Sequence, residues 1–286
     1  MNYKNLGIRG NREYTGADQT ITPHVFSNVV KCNNCGFVYL NPPIHSEYSS
    51  EKQHYDNPDT YISSNKDIVR KMFSKRIELI SKFSRGDKLL DIGSGKGEFL
   101  DVAKYYGYDC LGIEPSNNLN IYSRINYNVK VLTSAFLDIE LNNYYDVITL
   151  NHVLEHISKP KLFIIKIKQL LKDDGCLFIE VPNTNSNLLK INDLYFRLKG
   201  LKWSSRLSPM HPPFHRYGYN KKSLSYLLSE NGFEIKRIKL FPGLDRGYIK
   251  AKNSSNIEHY LRHISSRFLS IFGNRELLAI IAYKMK

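Results

Sequence analysis

A chain of 286 residues can bury about three-quarters of its unfolded surface, enough for one full α/β domain plus a smaller lobe. Its hydrophobic content of 42% and charged content of 24% are those of a globular protein, and no apolar run approaches the ~18 residues of a membrane span. The net charge of +14, from 41 basic against 27 acidic side chains, favours anionic partners, while the scatter of the basic residues along the chain argues against nucleic acid. Residues Met1 to Leu6 lack the long apolar core of a secretory signal, so a cytoplasmic protein is expected. Residues 1–63 are polar and broken, and are expected to form a small N-terminal lobe. Within them Val29 to Pro43 reads as strand, knuckle, strand around Cys32 and Cys35, the only C-x-x-C. A structural zinc needs four ligands, and only His24 or His45 could complete a set, so a metal-free knuckle is expected. Cys110 and Cys176 fall inside expected core strands, where a thiol behaves as a small apolar residue.

Residues 64–84 have helical periodicity, with Ile68, Met72, Ile77, Ile80 and Phe83 as the apolar stripe. Next comes Leu89-Leu90-Asp91-Ile92-Gly93-Ser94-Gly95-Lys96-Gly97-Glu98-Phe99-Leu100, a buried strand, a tight glycine turn and the first turn of a helix. A dinucleotide fingerprint would need G-x-G-x-x-G, but the third glycine comes one residue early and Glu98 stands in its place. A phosphate-cradling P-loop would need Ser or Thr after Gly-Lys, and Lys96 is followed by Gly97. The third reading is D-x-G-x-G-x-G, from Asp91 to Gly97. A second buried run, Asp109 to Ile113, ends in Glu114-Pro115-Ser116. An acid about twenty residues beyond the first glycine is placed to accept hydrogen bonds from ribose hydroxyls, worth roughly 1.5–3 kcal/mol each. The alternation then continues: helix 97–106, helix 117–125, strand 129–133, strand 145–150, helix 159–172 and strand 176–181, with Asp173-Asp174-Gly175 as the turn into the last.

The run from Asp91 to Gly97 resembles motif I of the class I S-adenosylmethionine-dependent methyltransferases. Tyr145 to His156 resembles their motif IV strand, including the Val153-Leu154-Glu155-His156 ending common in the small-molecule branch. The resemblance implies a doubly wound, seven-stranded Rossmann-like sheet with its last strand antiparallel, occupying residues 64–286. S-adenosylmethionine is then the implied cofactor, held by Asp91, Gly93, Ser94, Gly95, Gly97, Glu114, Pro115, Ala135, Phe136 and Asn151. Adenine would lie at Ala135 and Phe136, although Phe136 reads equally well as core. The helix over 64–84 would cross this site, with Tyr55 or Tyr61 reaching in or packing one lobe on the other.

Two further stretches point to a branch. Val29 to Pro43, with Tyr14 to Asp18 upstream, resembles the second half of the zinc ribbon that precedes many bacterial methyltransferases of sugar and polysaccharide pathways; the first C-x-x-C is missing here. Residues 183–219 are too long for an ordinary connection. They hold Trp203 and then Pro212-Pro213-Phe214-His215-Arg216-Tyr217-Gly218-Tyr219 before a helix over 221–231, and they resemble the substrate lid of the same enzymes. That resemblance implies O-methylation of a sugar, sugar nucleotide or glycan intermediate, with an anionic acceptor. A ubiquinone-pathway-like or other aromatic small-molecule O-methyltransferase is the alternative, and a non-catalytic cofactor-binding subunit another.

A hydroxyl acceptor must lose a proton late in methyl transfer, and a neutral histidine suits that task near pH 7. Of His152, His156, His211 and His215, the lid position ranks His215 first as the catalytic residue, and its place directly after the fourth core strand ranks His152 second. His152-x-x-Glu155-His156 has the letters of an inverted zinc-protease motif, but its strand context argues against a peptidase. Ubiquinone-pathway enzymes resemble it with Glu-x-x-Glu-His; His152 in place of the first Glu leaves fewer hard oxygen ligands for Mg²⁺, and no resident metal is expected. Alternatively, Glu155 and His156 cap a helix. A strand over 234–241 precedes an insertion, 242–274, whose basic amphipathic helix over 256–272 can lie on a membrane or a partner, or pack on its own core. Residues 276–284 form the expected closing strand, and the sequence does not fix the oligomeric state.

Overall fold

The computed structural model describes residues 3–10, 26–43, 56–58, 66–142, 144–207, 215–243 and 275–285. Three short strands come first: β1 (Tyr3–Gly10), β2 (Phe26–Cys32) and β3 (Val38–Asn41). Helix α1 (Lys66–Ser81) leads into β4 (Lys88–Ile92), α2 (Glu98–Tyr105), β5 (Asp109–Ile113), α3 (Asn117–Tyr127) and β6 (Val131–Leu132). There follow β7 (Tyr145–Asn151), α4 (Pro160–Leu170), β8 (Leu171–Pro182), α5 (Asn187–Leu198), α6 (Lys221–Glu230), β9 (Phe233–Phe241) and β10 (Leu277–Lys284).

Seven strands form one sheet in the order β6-β5-β4-β7-β8-β10-β9, mostly parallel with the last strand antiparallel. The parallel centre is apolar because helices cover both faces of such a sheet. Leu89, Leu90, Val147, Ile148, Leu177, Phe178 and Ile179 are all fully buried there, each side chain contributing about 1.5–3 kcal/mol. Local chemistry sets the helix ends. Ser116 caps α3 by accepting the Leu119 N–H at 3.2 Å, Asn128 closes it in the left-handed region at φ 49°, and Pro160 opens α4 at the first turn. The chain runs outward from β4 through β5 to β6, then returns to β7 on the other side of β4. This reversal makes the carboxyl ends of β4 and β7 the topological switch point, where doubly wound sheets bind ligands.

The elements match the sequence reading with three differences. The strand expected over 129–133 pairs only at Val131–Leu132. Asp173-Asp174-Gly175 does not separate α4 from β8 as a turn; β8 begins at Leu171 and its register jumps, with Tyr145 opposite Leu171 and Val147 opposite Cys176. The extra residues form a bulge, and a Cβ on Gly175 would stand 2.9 Å from the Tyr145 carbonyl, too close for any other residue. Residues 183–219, read as irregular, contain the twelve-residue helix α5. The helix expected over 256–272 lies outside the described residues, as do Tyr55, Tyr61, His24, His45 and His211.

The described residues divide into two compact units that do not follow a cut at residue 63. One takes its residues from 52–181, 225–239 and 279–286, and holds most of the seven-stranded sheet. The other draws on 1–51, 182–224 and 240–278. In this second unit β1, β2 and β3 form an antiparallel sheet whose core, Val29, Val38 and Leu40, is completed by Leu207 from the expected lid. Backbone bonds stitch the two stretches together: Ile8 N–H to Lys202 O at 2.7 Å, Val38 N–H to Gly218 O at 2.9 Å, and Gly218 N–H to Val38 O at 2.8 Å. The N-terminal strands and the 183–219 stretch are therefore one folded body.

Candidate functional site

The glycine turn between β4 and α2 is shaped chiefly by its own packing. Gly93 and Gly97 have φ of 72° and 80°, and a Cβ would stand 2.5 Å from Val153 Cγ2 at the first and 2.7 Å from Ser123 Cβ at the second. Both positions need glycine for conformation and for space before any ligand is considered. Glu114 then locks the turn. Its Oε2 accepts the Gly95 N–H and its Oε1 the Ser116 N–H, each at 2.9 Å. Burial pushes its carboxyl above the usual range, the two backbone donors oppose that, and Asp56 adds to it. Each oxygen keeps a second lone pair, so Glu114 can accept a further hydrogen bond at each oxygen.

Asp91 lies across the switch point from β7, opposite Thr149 in the strand register. Its Oδ1 accepts Thr149 Oγ1 at 2.6 Å and Asn151 Nδ2 at 3.2 Å. Burial raises its pKa, the two hydrogen bonds resist, Glu114 adds repulsion, and the carboxyl titrates at about 7. Among the described residues no cation forms an ion pair with it. Two buried polar atoms at the ends of these strands, Ser94 Oγ after β4 and Asn151 Oδ1 on β7, have no hydrogen-bond partner among the described residues. Under-neutralised acid, orphaned polar atoms and two oriented carboxylate oxygens fit a ligand with a positive charge and vicinal hydroxyls, as in S-adenosylmethionine.

One strand further along the sheet, four charged side chains form a second cluster. Arg76 of α1 donates Nε to Glu180 Oε2 at 3.0 Å and Nη2 to Oε1 at 3.2 Å, a fork of two bonds with both residues buried. His152 sits at φ 57°, a strained conformation for a side-chain residue, with Nδ1 3.5 Å from Glu155 Oε1 and Nε2 3.5 Å from Glu180 Oε1. Burial disfavours its charge, but the hydrogen bonds and charges of Glu155 and Glu180 outweigh this and raise its pKa to about 10. Burial likewise works against Glu180, yet His152 and Arg76 hold it below the usual carboxylate range. Two cations thus balance two carboxylates. At neutral pH His152 is an imidazolium, which is not the neutral proton acceptor a base requires.

The remaining expected residues differ in setting. Phe136 is core: it is 4% exposed, and its ring packs on Phe163 of α4 with centroids 4.8 Å apart and Lys166 over its face. It is therefore not a free platform for adenine. Ala135 beside it is exposed, as is Pro115. Leu154–His156 forms a single 3₁₀ turn, and α4 begins at Pro160 without a side-chain cap, so Glu155 and His156 do not cap that helix. His215 belongs to the other unit and is half-buried. Cys32 and Cys35 are free, partly exposed thiols on the β2–β3 turn, and backbone N–H groups, that of Cys35 foremost, lower the Cys32 pKa. Arg76 and Glu180 escaped the sequence reading. A glutamate within Cys176-Leu177-Phe178-Ile179-Glu180-Val181 and an arginine beside Ile77 in the helix stripe were their signals.

Residues 64–238 match the model of a family described as a methyltransferase domain. The chain belongs to this methyltransferase family, in the S-adenosylmethionine-dependent class whose fold it has. Among characterised relatives, the ubiquinone biosynthesis O-methyltransferase of Glaesserella parasuis serovar 5 is 35% identical over 112 residues, 34% of this chain and 46% of that enzyme. The mitochondrial ubiquinone biosynthesis O-methyltransferase of Mus musculus is 33% identical over 110 residues, 34% of this chain and 29% of that one. The chain spans about half the length of the curated relatives it matches. Among solved structures, magnesium protoporphyrin IX methyltransferase of Synechocystis PCC 6803 with bound SAH aligns at TM-score 0.56 and 13% identity, over 83% of this chain and all of that one. A SAM-dependent methyltransferase of Archaeoglobus fulgidus aligns at TM-score 0.51 and 22% identity, over 75% and 94% respectively. At these identities the structural likeness speaks for the fold.

Proposed function

We propose that the protein transfers a methyl group from S-adenosylmethionine to a hydroxyl of a sugar, sugar nucleotide or glycan intermediate. The observation that carries the cofactor half is the switch point, where Glu114 offers two oriented carboxylate oxygens and Asp91 a buried, under-neutralised charge. S-adenosylmethionine supplies an electrophilic methyl on a sulfonium. The remaining work belongs to the chain: Glu114 holds the ribose hydroxyls, Asp91 offers a negative charge to the cationic ligand, and Thr149 and Asn151 fix the Asp91 carboxylate. In-line displacement depends chiefly on such positioning. The acceptor half is supported by the resemblance of Val29 to Pro43 and of Pro212 to Tyr219 to sugar-pathway enzymes. It gains weight from the folding of residues 29–43 and 183–219 into one unit. His215 is the proposed proton acceptor, since His152 is held as a cation.

A second reading, O-methylation of a quinone-like phenol, is favoured by the ubiquinone-pathway relatives and by Val153-Leu154-Glu155-His156. Titration of S-adenosylhomocysteine by calorimetry into the wild type and Glu114→Ala tests the cofactor half. Losing the ribose acceptor is expected to weaken binding about ten- to a hundredfold, and a wild type that binds nothing ends the proposal. Turnover on nucleotide sugars against dihydroxylated phenols, with and without Mg²⁺, then separates the two acceptors. His215→Gln is expected to lower kcat by about 10²–10⁴ with cofactor affinity unchanged; an undiminished kcat removes His215 from the chemistry.

A further inference from the structure

Helix α5 is amphipathic in the wrong sense for a core helix. Its one fully buried side chain is an acid, Asp193. That carboxylate is used inward: it accepts Arg206 Nε at 2.7 Å, the Ser205 N–H at 2.9 Å and Ser205 Oγ at 3.0 Å. Leu188, Leu189 and Phe196 are half-buried, but four of its large apolar side chains point the other way. Ile191, Leu194, Tyr195 and Leu198 are all exposed, from 44% at Ile191 to 79% at Leu198, and Leu201 just beyond the helix is 54% exposed. At ~100° per residue these four helical positions fall within an arc of about 100°, a continuous stripe rather than scattered contacts. Lys190 and Arg197, two turns apart, run along one edge of the stripe, and Lys199 and Lys202 follow at its end, all exposed. Between Asn187 and Lys202 the sole acid is the inward Asp193. The outer surface is therefore apolar and purely cationic.

We propose that this face of α5 is an interfacial helix that docks the protein on an anionic lipid bilayer. Soluble proteins rarely leave a contiguous stripe of large apolar residues open to water unless it meets a partner. The chemistry of that partner follows from the rim. A protein groove would be matched by charges of either sign, whereas an apolar stripe flanked only by Lys and Arg matches acyl chains beneath negative headgroups. Asp193 is the one group on the helix that would be repelled there, and its pairing with Arg206 and Ser205 turns it away. No described helix is long and apolar enough to cross a membrane, so the contact is one of lying on the surface. The proposal assumes nothing about cofactor or acceptor.

Flotation of the full chain with vesicles tests it. The wild type is expected to float with phosphatidylcholine vesicles holding roughly a quarter phosphatidylglycerol, weakly with phosphatidylcholine alone, and to be released as salt rises. Leu194→Glu with Leu198→Glu is expected to abolish flotation. Lys190→Ala with Arg197→Ala is expected to weaken anionic-vesicle binding roughly thirtyfold, taking about 1 kcal/mol per basic residue. Both variants change exposed side chains, and their circular dichroism and S-adenosylhomocysteine affinity should equal the wild type's. A wild type that ignores anionic vesicles overturns the proposal, as does flotation of the double-glutamate variant. Equal affinity for neutral and anionic vesicles overturns the cationic part. A wild-type dimer that the double-glutamate variant converts to monomer, without lipid binding, reassigns the face to a contact between copies of the chain.

Discussion

Asp91 at the end of β4 and Glu180 near the end of β8 are both almost wholly buried, at 1% and 0% exposure, yet their surroundings are opposite. Glu180 has a guanidinium and an imidazolium against it, and its carboxyl is held below the usual range. Among the described residues Asp91 has only the neutral donors of Thr149 and Asn151, and it titrates at about 7. A buried acid whose charge is met by the protein is a structural member. One whose charge is left unmet is poised for a cation from outside. The same residue chemistry thus serves as scaffold on one strand and, two strands away, as the ligand site of the proposed function.

The largest expected effect probes the scaffold side. Arg76→Met takes the guanidinium from the buried Glu180, and is expected to cost about 3–5 kcal/mol in urea denaturation, the usual penalty for stranding a buried charge. A loss below about 1 kcal/mol would mean water already reaches Glu180, and the contrast with Asp91 would dissolve.

The next effect sharpens the ligand side. Asp91→Asn is expected to weaken S-adenosylmethionine binding about ten- to a hundredfold without destabilising the ligand-free protein at pH 8. The sign follows from linkage. A carboxyl raised from 3.8 to about 7 contributes stability fully present below its ordinary value and lost as pH rises through about 7. Removing the charge therefore flattens ligand-free stability between those pH values. In the wild type, affinity for the cationic ligand should fall as pH drops from 8 to 6 and Asp91 takes up a proton. A pH-independent affinity would show that Asp91 does not meet the ligand's charge.

The smallest effect concerns His152, whose partly exposed ring is screened by solvent. Its pKa, raised from 6.5 to about 10, gives stability fully present below the ordinary value and lost as pH rises through about 10. Melting temperatures of the wild type should decline from pH 7 to 10 more steeply than those of His152→Asn, because asparagine tolerates φ 57° and cannot carry the charge. Parallel declines would show that the imidazole is neutral in the folded protein.

The ligand side was legible in the sequence because its signals are local. Glycines at 93, 95 and 97, an acid at 114 and an apolar run at 145–150 each announce themselves within a dozen residues. The scaffold side was not, because Arg76 and Glu180 lie 104 positions apart and each looks like an error in an apolar pattern until they meet. Phe136 was legible only as a choice of two. Its position after the third strand suits a ligand platform and a core ring equally, and it is the packing on Phe163 that favours the core ring. Helix α5 was written plainly in the spacing of Leu188, Ile191, Tyr195 and Leu198, but apolar periodicity alone cannot say which side faces water.

The interleaving of the chain has a consequence for synthesis. Strands β1 to β3 emerge from the ribosome first, yet their backbone partners at Lys202 and Gly218 and their core partner Leu207 are made only after most of the large sheet. At ~5–20 residues per second that wait is on the order of ten seconds or more. During it a short sheet with an incomplete core must remain soluble while the next unit assembles between its halves. Its polar surroundings in the sequence suit a segment that has to wait.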